Sequence, residues 1–196
     1  MGQDTPDVNR RNLDHFLRQV HCLLIRQRLY EKLYRSGPER RVLLERSSKT
    51  FFDIVQQDIR NEMALSIRRM CDPHKKRGNK NLSMARVEGH GQLLDGKKKD
   101  LRSIRERLKS VSKVLTEHAD QRLAHQALPR ATGGKTGPWD PEGDWATMQE
   151  AVHLVVKFRQ TLLDGLGMDL PADHDVAVAD DVDDLIELLE RAADKL

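Results

Sequence analysis

A chain of 196 residues, 33% of them charged and only 4% aromatic, can bury one sizeable core and is a poor candidate for a strand-rich sandwich. The net charge of +3 is unevenly spread: residues 60–113 hold 16 Lys/Arg against 6 Asp/Glu, whereas residues 171–196 hold 2 against 9, so the middle suits a phosphate partner and the tail does not. Cys22 and Cys71 stand far apart, and no stretch approaches the roughly eighteen apolar residues of a membrane span; a disulfide framework is excluded and a reduced, cytoplasmic protein is expected.

From about Val8 to Arg35 the apolar positions Phe16, Leu17, Val20, Leu23, Leu24, Leu33 and Tyr34 recur mostly at three- and four-residue steps, which predicts a first long helix with one buried stripe. Ser36-Gly37-Pro38-Glu39 stops it. "RRVLLER" predicts a short helix, and Ser47 or Ser48 is placed to cap a second long one that runs through Phe51, Phe52, Val55, Ile59, Met63, Leu65, Ile67 and Met70 and ends near Pro73. "HKKRGNKN" (74–81) reads as a basic loop, and "LSMARVEG" as a helical turn closing at Gly89. Leu101, Ile104, Leu108, Val111, Val114 and Leu115 predict a third helix over about 98–116, its other face Lys and Arg. The Pro- and Gly-rich stretch 128–144 must be a loop, centred on Trp139, before helical spacing returns from Trp145 to about Leu166. "DDVDDLIELLERAADKL" predicts an acidic terminal helix docked by Leu185, Leu188, Leu189 and Ala192. No strand is expected. The fold class is therefore all-α, divided as a bundle over 1–166 and an acidic segment over 167–196.

Several motifs fail on inspection. "GGKTG" (133–137) lacks the leading glycine of a phosphate-binding P-loop and is broken by Pro138. Cys71 and His74 have no second ligand pair, so no metal and no cofactor is expected.

"LTEHADQRLAHQAL" (115–128) is different. On a helix, His118, Arg122 and His125 stand at i, i+4 and i+7, where two imidazoles and a guanidinium surround one anion. RNA cleavage uses such groups: an imidazole takes a proton from a 2′-hydroxyl, and a fixed cation steadies the phosphorane-like transition state. The bland alternative is a solvated helix face. This stretch resembles the motif of the HEPN superfamily, in which an arginine and a polar residue precede a histidine by a short interval. Phe51 to Gly89, with "RRMCDP", the basic loop and "NLS", resembles the abortive-infection AbiU-type branch.

The resemblance implies an antiparallel HEPN-like helical bundle, here with an additional acidic helix, and a metal-independent endoribonuclease toxin of a toxin–antitoxin or phage-defence system. His125 matches the motif histidine and Asp120 its polar position. Ala119 stands where the family has arginine, so the chain as it stands is expected to be inactive, through natural loss or through an Arg-to-Ala replacement that tames a toxic enzyme; retention of Asp120 and His125 favours the replacement. The family pairs as homodimers with both motifs in one cleft, and its substrate is RNA, transfer RNA included. Arg122, Arg68 and Arg69 are candidate RNA contacts from charge and position. A protein antitoxin is expected, though not one that modifies a tyrosine two places after the histidine, because that place is Ala127. The alternative is a non-catalytic HEPN module that binds a partner protein or nucleic acid.

Overall fold

The computed structural model describes residues 6–73, 75–76, 79–80, 83–115, 143–169 and 176–193. They form an all-α protein. In chain order the elements are α1 (Pro6–Tyr34), α2 (Pro38–Cys71), a two-stranded ladder of β1 (Lys75–Lys76) and β2 (Asn79–Lys80), α3 (Met84–Glu88), α4 (Asp95–Val111), α5 (Gly143–Leu166) and α6 (Val176–Ala193).

Helix boundaries follow local chemistry. α1 stops before Gly37, whose φ of 112° only glycine adopts cheaply, and Pro38 then opens α2 at a position where its missing N–H costs nothing. Within α2 the backbone leaves helical geometry at Ser48 (φ −170°, ψ 82°), so the short helix and the long one expected on either side of Ser47-Ser48 are joined across a kink. α5 ends in a Schellman motif: Met168 N–H donates to Leu163 O and Gly167 N–H to Asp164 O, with Gly167 at φ 64°. Two expectations are corrected. The basic segment after α2 carries a minimal antiparallel ladder that pairs Lys75 with Lys80 and Lys76 with Asn79, where only a loop was expected. α4 starts three residues early and is interrupted at the buried Ser112, whose hydroxyl lies 3.8 Å from the Cys71 thiol, before helical geometry resumes over 113–115.

The chain divides into two compact units, to both of which α1 and α2 contribute. The first comprises Met1–His21 and Ala64–Leu170. Its core joins Phe16 of α1 and Phe158 of α5 edge to face at 5.7 Å, with Ile67, Met70, Leu101 and Leu108 fully buried around them. α4 and α5 pack antiparallel: Arg107 pairs with Glu150 at 2.9 Å, while at the other end Gly165 lies so close to α4 that a Cβ there would sit 2.7 Å from Leu93 Cδ2. Glycine at 165 is what permits this approach.

The second unit comprises Cys22–Met63 and Pro171–Leu196. Here α1 and α2 run antiparallel: Tyr34 Oη donates to Phe52 O at 2.9 Å, Gln56 Nε2 to Tyr30 Oη at 3.5 Å, and Arg26 meets Glu62 at 4.0 Å. α6 docks through Val182 and Ile186 onto Leu33, Leu44 and Phe52, with Leu189 half-buried beside them, and Lys32 pairs with Asp183. The expected docking stripe is corrected: Leu185 and Leu188 are 40% and 62% exposed. A residue at i+1 lies about 100° around a helix, so a stripe read one position off selects the wrong half of a wide apolar arc.

Candidate nucleic-acid interface

The C-terminal ends of α2 and α4 meet within the first unit. Cys71 Sγ lies 3.8 Å from Ser112 Oγ. Burial pushes the Cys71 thiol up, while Ser112, Lys109 and Arg105 act in the opposite direction. The thiol is protonated near neutral pH and offers no nucleophile. Its cationic neighbours mark the character of this end of the unit.

Two basic segments leave from this junction. α2 ends with Arg68, half-buried, and Arg69, exposed, cations that also complement the helix dipole; the lysine-bearing ladder follows. α4 leads through exposed Lys113 to fully buried Leu115, and the residues after Leu115 are those of the motif. The structure thus puts the end of α2, with candidate contacts Arg68 and Arg69, against the end of the helix that precedes the motif. Ala119, Asp120, Arg122 and His125 lie outside the described residues, as do His118 and the loop around Trp139.

Sequence reasoning read the Lys/Arg face of α4 but not what holds it. Lys98, Arg102, Arg105 and Lys109 stand at i, i+4, i+7 and i+11, a spacing that keeps them on one flank of a 3.6-residue helix, and Lys113 follows just past the break at Ser112. The row was legible in the spacing. Its anchor was not: Glu88 of α3, its side chain 7% exposed, accepts from Arg105 Nε at 2.7 Å and Arg102 Nε at 3.0 Å. Arg105 is itself 13% exposed and also meets Glu106 at 2.8 Å, whereas Arg102 is 68% exposed. A guanidinium held through Nε by a carboxylate keeps its remaining N–H groups for a second anion. Lys98 pairs with Asp95 at 3.5 Å and Lys109 with Glu106 at 3.2 Å, loose surface pairs that a phosphate can displace at little cost.

Among the described residues no group of three or more His, Cys, Asp and Glu is arranged to hold a metal ion, and no helix is long and apolar enough to cross a membrane. No protein-family model matches the chain, and no curated protein or solved structure matches it.

Proposed function

We propose that this chain is a HEPN-type endoribonuclease toxin of a toxin–antitoxin or phage-defence system, inert as it stands because Ala119 occupies the place of the motif arginine. The observation that carries the reading is the motif itself: Asp120 and His125 retained at the family's spacing in "HADQRLAH", in company with "RRMCDP". Its support from the fold is the helical class and the basic junction at the ends of α2 and α4.

The chemistry follows from the residue types. In a homodimer that brings two motifs together, one His125 takes the proton of a 2′-hydroxyl as its oxygen bonds to phosphorus, and the other protonates the departing 5′-oxygen as the P–O5′ bond breaks. The products are a 2′,3′-cyclic phosphate and a 5′-hydroxyl. Negative charge collects on the non-bridging oxygens, which an arginine at 119 would hold and an alanine cannot. Asp120 orients one of these groups. Such a protein acts in the cytoplasm, on RNA with transfer RNA as one candidate, and is restrained by a protein antitoxin.

Ala119 also favours a second reading, a HEPN module that binds a partner or nucleic acid without cutting. Ala119→Arg separates the two: the enzyme reading expects RNA cleavage ending in cyclic phosphate, lost again in Ala119→Arg/His125→Ala, and the binding-module reading expects none.

A further inference from the structure

We propose that the exposed flank of α4 is a phosphate track that holds a base-paired stem of RNA and reads its backbone rather than its sequence. That the polyanion is RNA rests on the function proposed above; the track rests on the geometry of α4.

Between residues 95 and 115 the chain carries eight Lys/Arg against three Asp/Glu. Within α4 the row from Lys98 to Lys109 spans eleven residues, about 16 Å at 1.5 Å each, and Lys113 follows past the break at Ser112. Arg107 pairs with Glu150 of α5, and the stem of Lys97 lies beside Gly165 of α5. The row lies on the other side, and Arg102 and Lys113 are exposed along it.

What distinguishes this row from an ordinary solvated face is its buried anchor. Glu88 holds Arg102 at 3.0 Å and the largely buried Arg105 at 2.7 Å, so the exposed Arg102 is pre-ordered and an incoming phosphate need not bear the rotamer entropy of a free arginine. The row also points along the chain toward the motif: Lys113 stands six residues before Ala119.

The choice of a stem over a single strand comes from what the surface lacks. Single-strand binders stack bases on exposed aromatic rings, but the aromatic side chains described in this unit, Phe16, Trp145 and Phe158, are 0%, 3% and 0% exposed. A row of cations with no exposed aromatic ring in this unit among the described residues suits a double helix, which is recognised by shape and phosphates.

The test uses the chain as it stands, so that binding is read without cleavage. A fluorescent RNA hairpin, an unpaired RNA of equal length and a DNA hairpin of the same sequence are titrated by anisotropy from 50 to 200 mM salt. The account expects the RNA hairpin to bind tighter than the unpaired strand, losing roughly a hundredfold in affinity over that range as about four phosphates are neutralised. Lys98→Gln/Lys109→Gln/Lys113→Gln should reduce that loss to about three- to fourfold. Arg41→Gln/Arg46→Gln/Lys49→Gln removes equal charge from exposed positions of α2 and should leave the salt dependence as it was. An unchanged salt dependence in the α4 variant, an equal effect of both variants, tighter binding of the unpaired strand or equal binding of the DNA hairpin would each overturn the proposal. Binding that behaves as expected while Ala119→Arg cuts nothing defeats the ribonuclease reading alone. Cleavage by Ala119→Arg with an indifferent α4 row defeats the track alone.

Discussion

Replacing Glu88 with alanine should destabilise the first unit by about 2–3 kcal/mol, and the figure can be built from its two partners. Arg102 is 68% exposed, so its share is that of a surface pair, under about 1 kcal/mol. Arg105 is 13% exposed against a carboxylate that is 7% exposed, and breaking a buried pair from one side costs about 3–5 kcal/mol because a charge is left without its counterion. Glu106, 2.8 Å from Arg105 Nη1 and 55% exposed, remains to compensate part of that loss. Arg102→Ala should therefore cost under about 1 kcal/mol. Glu88→Met/Arg105→Met, which removes both buried charges and keeps the volume, should recover most of the loss. Urea unfolding followed by helical circular dichroism gives the free energies of the parent and the three variants. If Glu88→Ala costs no more than Arg102→Ala, the buried anchor of the α4 row does not exist as described.

Three further outcomes test the packing. Gly165→Ala should lose about 1 kcal/mol despite the better helix propensity of alanine, because its Cβ meets Leu93 Cδ2 at 2.7 Å; with Leu93→Ala in the background the same substitution should turn stabilising in urea unfolding. Ile186→Asp should release α6 by placing a charge among Leu33, Leu44 and Phe52, seen as loss of amide protection along that helix, whereas Leu188→Asp, 62% exposed at the start, should change stability by under about 0.5 kcal/mol. Tyr34 is held protonated up to about 12, first by burial and then by the neighbouring Tyr30 and Asp53. A raised phenol adds stability that is complete below about pH 10 and is lost as pH rises through about 12; the phenolate absorbance that disappears in Tyr34→Phe should be centred near 12, and a centre near 10 would refute the burial.

The helices were legible wherever a three- or four-residue apolar spacing met a strong boundary residue. Gly37-Pro38, Ser48, Gly89 and Gly167 all fall where the chain leaves or joins helical geometry. α6 was misread on one point because Val182, Leu185, Ile186, Leu188 and Leu189 make an apolar arc wider than one partner can cover, and only the positions of Leu33, Leu44 and Phe52 decide which half is buried. Glu88 was invisible for a related reason: its partners lie 14 and 17 residues away across a turn, beyond any helical period. The stretch "HADQRLAH" lies outside the described residues, and the junction that precedes it in the chain was not legible, since the meeting of Cys71 with Ser112 bridges 41 residues. The Lys/Arg face of α4 was read from spacing, but the buried carboxylate beneath it was not.

The central claim is that this chain is one side chain away from a ribonuclease. The most direct measurement is the RNA-cleaving activity of Ala119→Arg beside the parent chain and Ala119→Arg/His125→Ala, with chelator present, and growth of cells expressing each form. The account predicts a gain of at least a hundred- to a thousandfold, the usual size of one preorganised transition-state donor, products ending in 2′,3′-cyclic phosphate, growth arrest, and loss of all three when His125 is removed. An arginine form that cuts no cellular RNA and leaves growth unchanged would contradict it.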